Sequence, residues 1–422
     1  MTARSAPRKK ATSSTKTSAA KASAASSGAP EPDLKAARQL VLELMAIPGT
    51  SGKEGLIRAA IVKQLKAAGA PASAIRGDEA QKKTPLAGEV GNLALVLPGT
   101  VAGPRRLLMA HMDTVPLCVG SKPVVKGGFV RSGDKSTGLG ADDRAGCAVV
   151  LTAALEILRR KLPHPPVTFF WPIQEEVGLF GARFADLKML DKPKLCFNWD
   201  GGDHTKATIG ATGAYRIRVD IYGLASHAGG APERGISAIT IAALAIAELQ
   251  SGGWLGDIRK GDRRGTSNVG VIEGGKATNV VTDHVFVRAE CRSHDPEFRR
   301  EILEAITSTF ESAAARVQSA DGTAGHVKIE SRMDYDSFRL ADHEKCVATA
   351  EAAVRSIGGD PIRAISNGGL DANWLTARGL PTVTLGCGQM NAHTVSEALD
   401  LNQFEQACRV GLRLATGTET SK

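Results

Sequence analysis

Short apolar runs that stop at acidic or imidazole side chains recur along this chain. The run from Leu107 to Ala110 leads into His111 and Asp113, and Pro116 then breaks the segment. Three further apolar runs predict buried strands, over residues 167–173, 195–200 and 382–386, and the run 147–155 after a glycine-rich turn predicts a helix. Because open α/β sheets place their sites at the carboxyl ends of strands, the pattern predicts an α/β fold with a site at one sheet edge.

The middle of the chain has a different pattern. Residues 212–222 alternate polar and apolar side chains, which predicts a half-exposed strand. Two helices and three more strands are predicted after it, the helices over 233–249 and 296–318 and the strands over 267–273, 279–292 and 326–329. The order β-α-β-β-α-β is that of a split, ferredoxin-like unit. We therefore expect a smaller α/β unit inserted into the larger one.

Composition limits the class of protein. The 422 residues are 42% hydrophobic, which is enough for two domains, and no stretch approaches the ~20 continuous apolar residues of a membrane span. Aromatic residues make up 4% of the chain, which argues against a stacking surface for single-stranded nucleic acid. The seven cysteines are scattered without a CxxC pair, so we expect free, buried thiols in a reducing, cytoplasmic compartment.

The net charge of +9 is unevenly placed. Residues 1–30 contain six Lys or Arg and no acidic residue, so the remainder of the chain carries only +3. We expect this basic leader to be disordered, because it has almost nothing to bury. A transit peptide or a polyanion-binding arm is the functional interpretation, and a solvated leader without function is the simpler one that we favour. The segment has no apolar core of the kind that a secretory signal requires.

The polar side chains at the strand ends are candidate metal ligands. On an extended backbone, His111 and Asp113 point the same way, so the carboxylate can orient the imidazole ring. The other candidates are the pair Asp142 and Asp143, the pair Glu175 and Glu176, Asp200, and His393. Taken singly, such acids are more often helix caps or turn residues. Together they are the donor types of a two-metal hydrolase, which needs a bridging carboxylate, terminal ligands on each ion and a base.

On these motifs, from about Asp33 to about Thr416, the chain resembles the dinuclear zinc exopeptidases that include tripeptidase (peptidase T), aminoacylase and glutamate carboxypeptidase. The resemblance implies a three-layer α/β catalytic domain and an inserted ferredoxin-like lid that also dimerises. The implied division is a leader (1–31), the catalytic domain in two segments (32–211 and 336–417), the lid between them (212–335) and a short tail (418–422). The implied cofactor is two Zn²⁺ per subunit, with Co²⁺ or Mn²⁺ as alternatives.

The resemblance also implies a role for each candidate. The metal ligands are His111, Asp142 as the bridging carboxylate, Glu176, Asp200 and His393. Asp113 orients His111, and the Asp142–Asp143 peptide is expected to be cis. Glu175 is the general base, which takes a proton from the attacking water and returns it to the leaving amine.

Five residues outside this set are assigned by the same resemblance. His227, in a Ser-His-Ala-Gly segment, matches a histidine that reaches the partner subunit's site and stabilises an oxyanion; the simpler interpretation is a loop histidine at a helix start. Asn279 and Arg292 match substrate-contacting positions, although a sheet-surface pair is also possible. Gly369 and Asp371 lie in the family's substrate loop, where Leu370 replaces the small hydroxyl residue usual in tripeptidases.

The activity that we expect is hydrolysis of an amide bond in a small peptide, of the aminopeptidase or tripeptidase type. The alternatives are a carboxypeptidase or N-acyl-amino-acid amidohydrolase of the same family, and an inactive metal-binding homologue that binds peptides. The expected partners are a small peptide or acyl-amino-acid substrate and a second copy of the chain, with no nucleic acid and no membrane.

Overall fold

The computed structural model describes residues 1–2 and 28–420, and the prediction of a disordered leader falls on residues 3–27, outside the described residues. The helices in the described part are α1 (Leu34–Ala46), α2 (Gly55–Ala67), α3 (Ala141–Arg160), α4 (Phe180–Phe184), α5 (Ala238–Ser251), α6 (Pro296–Arg316), α7 (Lys345–Ser356), α8 (Asp371–Ala377) and α9 (Leu401–Thr416). The strands there are β1 (Ile75–Gly77), β2 (Leu93–Leu97), β3 (Arg106–Met109), β4 (Pro123–Lys126), β5 (Phe129–Ser132), β6 (Val167–Trp171), β7 (Leu195–Trp199), β8 (Lys206–Ala211), β9 (Gly213–Tyr222), β10 (Gly256–Lys260), β11 (Arg263–Gly274), β12 (His284–Ser293), β13 (His326–Tyr335), β14 (Phe338–Arg339), β15 (Ile362–Ser366), β16 (Thr382–Leu385), β17 (Gln389–Met390) and β18 (Ala398–Asp400).

The main sheet has the strand order β1-β2-β6-β3-β7-β16-β8-β14, with β15 pairing to β8. Its centre is parallel, since β3 pairs in parallel with β6 and β7, and β16 pairs in parallel with β7. These four strands are buried on both faces, which explains why they are continuous apolar runs rather than alternating ones.

Helices cover the main sheet on both sides. Helices α1, α2, α3, α7 and α9 form one layer, and their apolar residues pack with one face of the strands, including Phe169, Phe197 and Trp199. The opposite face, including Phe170 and Met109, packs against the region of α4 and α8. The result is the predicted three-layer α/β architecture.

The second sheet, here called the lid sheet, is antiparallel with the order β10-β11-β12-β9-β13. Helices α5 and α6 pack on one face, and burial alternates along β12 because the other face is open. The predicted order is present, with one strand that the sequence analysis missed, β10. That strand is short, polar and at the edge, so it has no apolar pattern.

Several predicted boundaries in the lid differ from the structure, among them the starts of α5 and β12. Helix α5 begins at Ala238, after the Ser237 side chain accepts the N–H of Thr240, and not at Glu233. Strand β12 begins at His284, because residues 279–283 belong to a loop.

The sheets suit the predicted division into a catalytic domain and a lid at residues 212–335, which we keep as a proposal. A third, four-stranded sheet has the order β17-β18-β5-β4. All seven cysteines are free and buried, as their apolar surroundings predicted. None of the helices in the described residues is long and apolar enough to cross a bilayer.

Candidate metal centre

Four parallel strands deliver the predicted site residues to one edge of the main sheet. Strands β6, β3, β7 and β16 lie side by side and run in the same direction, so their carboxyl ends meet. The candidates that follow them are His111 after β3, Glu175 and Glu176 after β6, Asp200 after β7, and His393 in the loop after β16. The structure therefore gathers residues from distant parts of the sequence.

Asp142 lies between the two histidines. It is in the first turn of α3, where the backbone at Asp142 and Asp143 departs from helical geometry and their peptide bond is cis. One carboxylate oxygen of Asp142 is 3.2 Å from Nε2 of His111, and the other is 3.4 Å from Nε2 of His393. A carboxylate with this placement is suited to bridge two cations.

Glu175 and Glu176 point toward different histidines. Oε2 of Glu176 is 2.8 Å from Nε2 of His393, and Oε2 of Glu175 is 3.9 Å from Nε2 of His111. Burial raises the pKa of Glu175, and the charge of Asp200 adds to this effect against the opposing effect of His111. Adjacent residues thus serve separate parts of the cluster.

The donor atoms form two groups that fit divalent metals. Within each group the ligand atoms lie within 4.8 Å of one another, and the groups are His111, Asp142 and Glu176, and His111, Asp143 and Asp200. Oε1 of Glu176 and Oδ2 of Asp143 are buried without a hydrogen-bond partner. Buried, unpartnered carboxylate oxygens are costly unless a cation offsets them. Imidazole nitrogen and carboxylate oxygen are also the donors that zinc accepts.

Asp143 is closer to the cluster than the sequence analysis anticipated. Its side chain is fully buried, and Oδ1 accepts the N–H of Gly146 at 3.0 Å. Burial raises the pKa of Asp143, and burial together with the charge of Asp142 raises the pKa of Asp200 to about 7. The carboxylates crowd one another, so the cluster favours bound positive charge. We retain Asp142 as the bridging candidate because it contacts both histidines.

Asp113 connects the two halves of the cluster. Its Oδ1 accepts the N–H of Glu175 at 3.0 Å, and its Oδ2 accepts the N–H of Glu176 at 3.2 Å and the hydroxyl of Ser51 at 2.6 Å. Nδ1 of His111 is 3.1 Å from the backbone oxygen of Asp113 and 3.5 Å from its carboxylate. Asp113 therefore positions the backbone of both glutamates as well as the histidine ring.

Glu397 is a residue that the sequence analysis missed. It is 2% exposed; its Oε2 accepts the N–H groups of Leu139 and Gly140, both at 2.7 Å, and its Oε1 accepts the N–H of Asp142 at 3.0 Å. The loop that carries His393 thus also holds the turn that presents Asp142. A single acidic residue in a loop is too common in sequences to be selected without this geometry.

We expect Glu397→Gln to weaken metal binding about 10–100-fold, the usual range for groups that hold ligands in place. The amide keeps one acceptor oxygen and turns its NH₂ group toward at least one backbone N–H. Metal titration of chelator-stripped protein measures the effect. Glu156→Gln is the matched control, because Glu156 is also buried and accepts a backbone N–H, that of Asp33 at 3.0 Å, away from the cluster. Equal metal affinity in Glu397→Gln and wild type would contradict the assignment.

Two of the predicted lid residues are not part of this cluster within one chain. His227 is exposed, and its Nδ1 accepts the N–H groups of Gly229 at 3.1 Å and Gly230 at 2.9 Å. Asn279 is also exposed, and its backbone oxygen accepts the N–H of Ala228 at 3.0 Å. Across residues 28–420, no hydrogen bond or ion pair links His227 or Asn279 to the candidate ligands.

Arg292 and Gly369 lie where the lid meets the main sheet. Arg292, on β12, donates two hydrogen bonds to Glu290, at 2.9 and 3.1 Å. Gly369 packs against the ring of Tyr335, so closely that a Cβ would stand 2.3 Å from a ring carbon. The glycine in this loop is therefore required by the tyrosine next to it.

Asp371 is more completely buried than we expected for a residue that contacts the substrate. It is 1% exposed, and neither carboxylate oxygen has a hydrogen-bond partner in the described structure. Burial raises its pKa to about 8, and the charges of Asp113 and Asp200 contribute in the same direction, against the opposing effect of His111. Asp371 therefore borders the cluster and adds to its excess of carboxylates.

Comparison with known proteins agrees with this geometry. The sequence profile of peptidase family M20/M25/M40 matches residues 107–417. Uncharacterized protein YqjE of Bacillus subtilis is 35% identical over 314 residues, which cover 74% of this chain and 81% of that protein. A tripeptidase from Staphylococcus aureus has a similar structure, with a TM-score of 0.81 and 31% identity, over 92% of this chain and all of that one. Aminopeptidase PepT from Bacillus cereus gives a TM-score of 0.76 and 32% identity, over 93% and 100% of the two chains.

Proposed function

The chain belongs to peptidase family M20/M25/M40 and is a metal-dependent peptidase, and from this premise we propose that it is a two-zinc aminopeptidase acting on short peptides, tripeptides above all. The preference for the amino end rests on the motif versions Gly140–Gly146 and Asn391–Thr394, which resemble the tripeptidase branch. The likeness to a tripeptidase and to aminopeptidase PepT supports the same preference.

The observation that carries the proposal is the position of Asp142 between His111 and His393. Glu176 lies beside His393, and Glu175 lies beside His111. In the proposed site, His111 and Asp200 would hold one ion, Glu176 and His393 would hold the other, and Asp142 would be shared. This division gives each ion two ligands of its own besides the shared Asp142 and leaves Glu175 free for chemistry.

Two cations bound by these residues would supply Lewis-acid chemistry toward a water molecule and the scissile carbonyl. Glu175 accepts the proton of the attacking water and passes it to the leaving amine, so that one carboxyl acts first as base and then as acid. Its burial supports this role, because proton transfer is most effective where competing water is excluded. Asp113 fixes the backbone of Glu175 and keeps the carboxylate in position.

We keep His227 as the oxyanion donor, acting from a second copy of the chain. His227 is exposed on a lid loop and bridges to Val280 through the backbone. Around it, large apolar side chains are exposed, including Leu224 (45%), Ile239 (47%) and Val280 (44%). Contiguous exposed apolar groups are typical of an interface, so the proposal includes a homodimer that forms through the lid.

A peptide panel with metal analysis tests the proposed function. We expect the purified protein to carry two zinc ions per chain and to hydrolyse Xaa-Ala-Ala tripeptides, releasing the N-terminal residue. Acetylated tripeptides should resist, because the free ammonium group is lost. Chelation should remove activity, and added Zn²⁺, Co²⁺ or Mn²⁺ should restore it to different degrees.

Each outcome of this panel has a distinct meaning. Hydrolysis of the acetylated form with release of the C-terminal residue would identify a carboxypeptidase, and release of acetate would identify an acylase. Two bound zinc ions with no turnover on any peptide would favour an inactive peptide-binding homologue. A monomer in solution with full activity would contradict the role of His227.

A further inference from the structure

Two buried carboxyl groups hold the segment that carries the proposed base. Its three consecutive residues, Gln174, Glu175 and Glu176, each donate a backbone N–H to one of these groups. Asp113 accepts the last two, at 3.0 and 3.2 Å, and Oε1 of Glu54 accepts the N–H of Gln174 at 3.1 Å. The residue directly before the base is therefore held by Glu54, which no sequence motif singled out.

The backbone at Gln174 needs such a contact. Its φ of 53° lies in the left-handed region, which residues other than glycine keep only where the surrounding structure holds them. The side chain of Gln174 is fully buried and donates to the backbone oxygen of Ala87. Two contacts thus hold Gln174, one on its backbone and one on its side chain. Since Glu175 is the next residue, any rotation at Gln174 moves the base relative to the cluster.

The loop before α2 supports both carboxyl groups. Oε1 of Glu54 also accepts the N–H of Gly52 at 2.9 Å, and the hydroxyl of Ser51 donates to Asp113 at 2.6 Å. Glu54 is fully buried, and it belongs to neither group of close donor atoms found among residues 28–420. Glu54 therefore acts on the cluster through the backbone of a neighbouring segment and not as a ligand.

The second oxygen of Glu54 takes no part in these contacts. In the part of the chain that the structure describes, Oε2 is buried without a hydrogen-bond partner. Burial raises the pKa of Glu54 to about 7, and the charge of Asp113 adds to this effect against the opposing hydrogen bonds from Gly52 and Gln174. A side chain of this length with one acceptor oxygen, charged or neutral, therefore meets the requirement.

We infer that Glu54 is a positioning residue for the general base, because it fixes the backbone of Gln174 and thereby holds the Glu175 carboxylate in place. The inference rests on the proposed function, since it takes Glu175 as the base, and it deepens that function by adding a residue on which the rate depends. A misplaced base slows proton transfer without changing the affinity for substrate or metal. Loss of the Glu54 contact should therefore lower kcat and leave KM and the metal content unchanged.

Three substitutions of Glu54 separate the reach of the side chain from its charge. Glu54→Met keeps the bulk of the side chain and loses the acceptor, and Glu54→Asp keeps the charge but is one methylene shorter. In both variants we expect kcat for Ala-Ala-Ala to fall about 10–100-fold, the usual range for groups that hold site residues in place, with KM and metal content as in the wild type. Glu54→Gln should recover most of the lost kcat, because its amide oxygen reaches the same N–H groups.

Amide hydrogen exchange on the same metal-loaded preparations locates the change. A proteolytic fragment that spans residues 174–176 should exchange faster in Glu54→Met and Glu54→Asp than in the wild type and Glu54→Gln. Glu156→Met is the matched control, because Glu156 is also buried and accepts a backbone N–H, that of Asp33, away from the cluster. The control should keep the wild-type kcat and the wild-type exchange of residues 174–176.

The order of the variants decides the inference even where Glu54→Met does not fold. A kcat of Glu54→Asp equal to or above that of Glu54→Gln would overturn it and leave the peptidase function standing. A loss of activity that follows from a higher KM or from lost metal would also overturn it, because Glu54 would then support the substrate site or the ligands. A wild type that cleaves no tripeptide would overturn the peptidase function itself.

Discussion

Glu175→Gln is expected to lose at least 10²–10⁴-fold in kcat, the contribution of a positioned general base, while the protein keeps its metal. The amide has the size of the carboxyl group but accepts no proton from water. Oε2 of Glu175 is 3.9 Å from Nε2 of His111, and neither group of close donor atoms includes Glu175. Its replacement therefore leaves every proposed ligand in place. Steady-state kinetics and metal analysis of the same preparation measure both parts of the prediction.

The stability of the metal-free variant separates loss of the base from misfolding. The folded protein raises the pKa of Glu175 above its ordinary value, mainly through burial. Because the unfolded chain releases this proton more readily than the folded protein does, Glu175 lowers the stability of the fold above the ordinary carboxyl pKa, and this cost is present at pH 7. A neutral glutamine removes the cost, so chelator-stripped Glu175→Gln should melt no lower than stripped wild type. A variant that loses both metal and thermal stability would assign Glu175 to the ligand set instead.

The sequence predicted the strands that carry the site because the physical signal is local. Central parallel strands are buried on both faces, so β3, β6, β7 and β16 are apolar runs that can be recognised without a partner. Each apolar run ends where the chain leaves the sheet, and the polar residue that follows lies at the sheet edge that carries the site. The family resemblance then gave a role to each of these polar residues, such as His111 and Glu176.

The features that escaped prediction depend on contacts between distant segments. The Glu397 carboxylate accepts hydrogen bonds from backbone N–H groups that lie more than 250 positions earlier in the chain, and no local sequence pattern predicts such a contact. The pairing of Arg218 with Arg288 depends on strand register, which turn geometry and core burial determine together. The alternation of β9 was visible in the sequence, but which arginines would face one another was not.

We expect the second large effect from Asp142→Asn, which should lose both metal ions. The variant His393→Ala should lose only one of the two ions. Asp142 contacts both histidines, at 3.2 and 3.4 Å, while His393 contacts only one of the two groups of close donor atoms, through Glu176 and Asp142. An amide offers a single neutral oxygen, which cannot bridge two cations with the strength of a carboxylate. Activity should fall below detection in Asp142→Asn.

The number of metal ions per chain, measured after dialysis against a fixed concentration of free zinc, distinguishes the shared ligand from a terminal one. We expect about two ions for wild type, about one for His393→Ala and fewer than one for Asp142→Asn, because the shared carboxylate contributes to both sites. Asp143→Asn is the matched comparison, since it makes the same chemical change at the neighbouring position. If Asp143→Asn loses both ions and Asp142→Asn keeps them, the bridging role belongs to Asp143, which has a carboxylate oxygen within 4.8 Å of ligand atoms of Asp200 and His111.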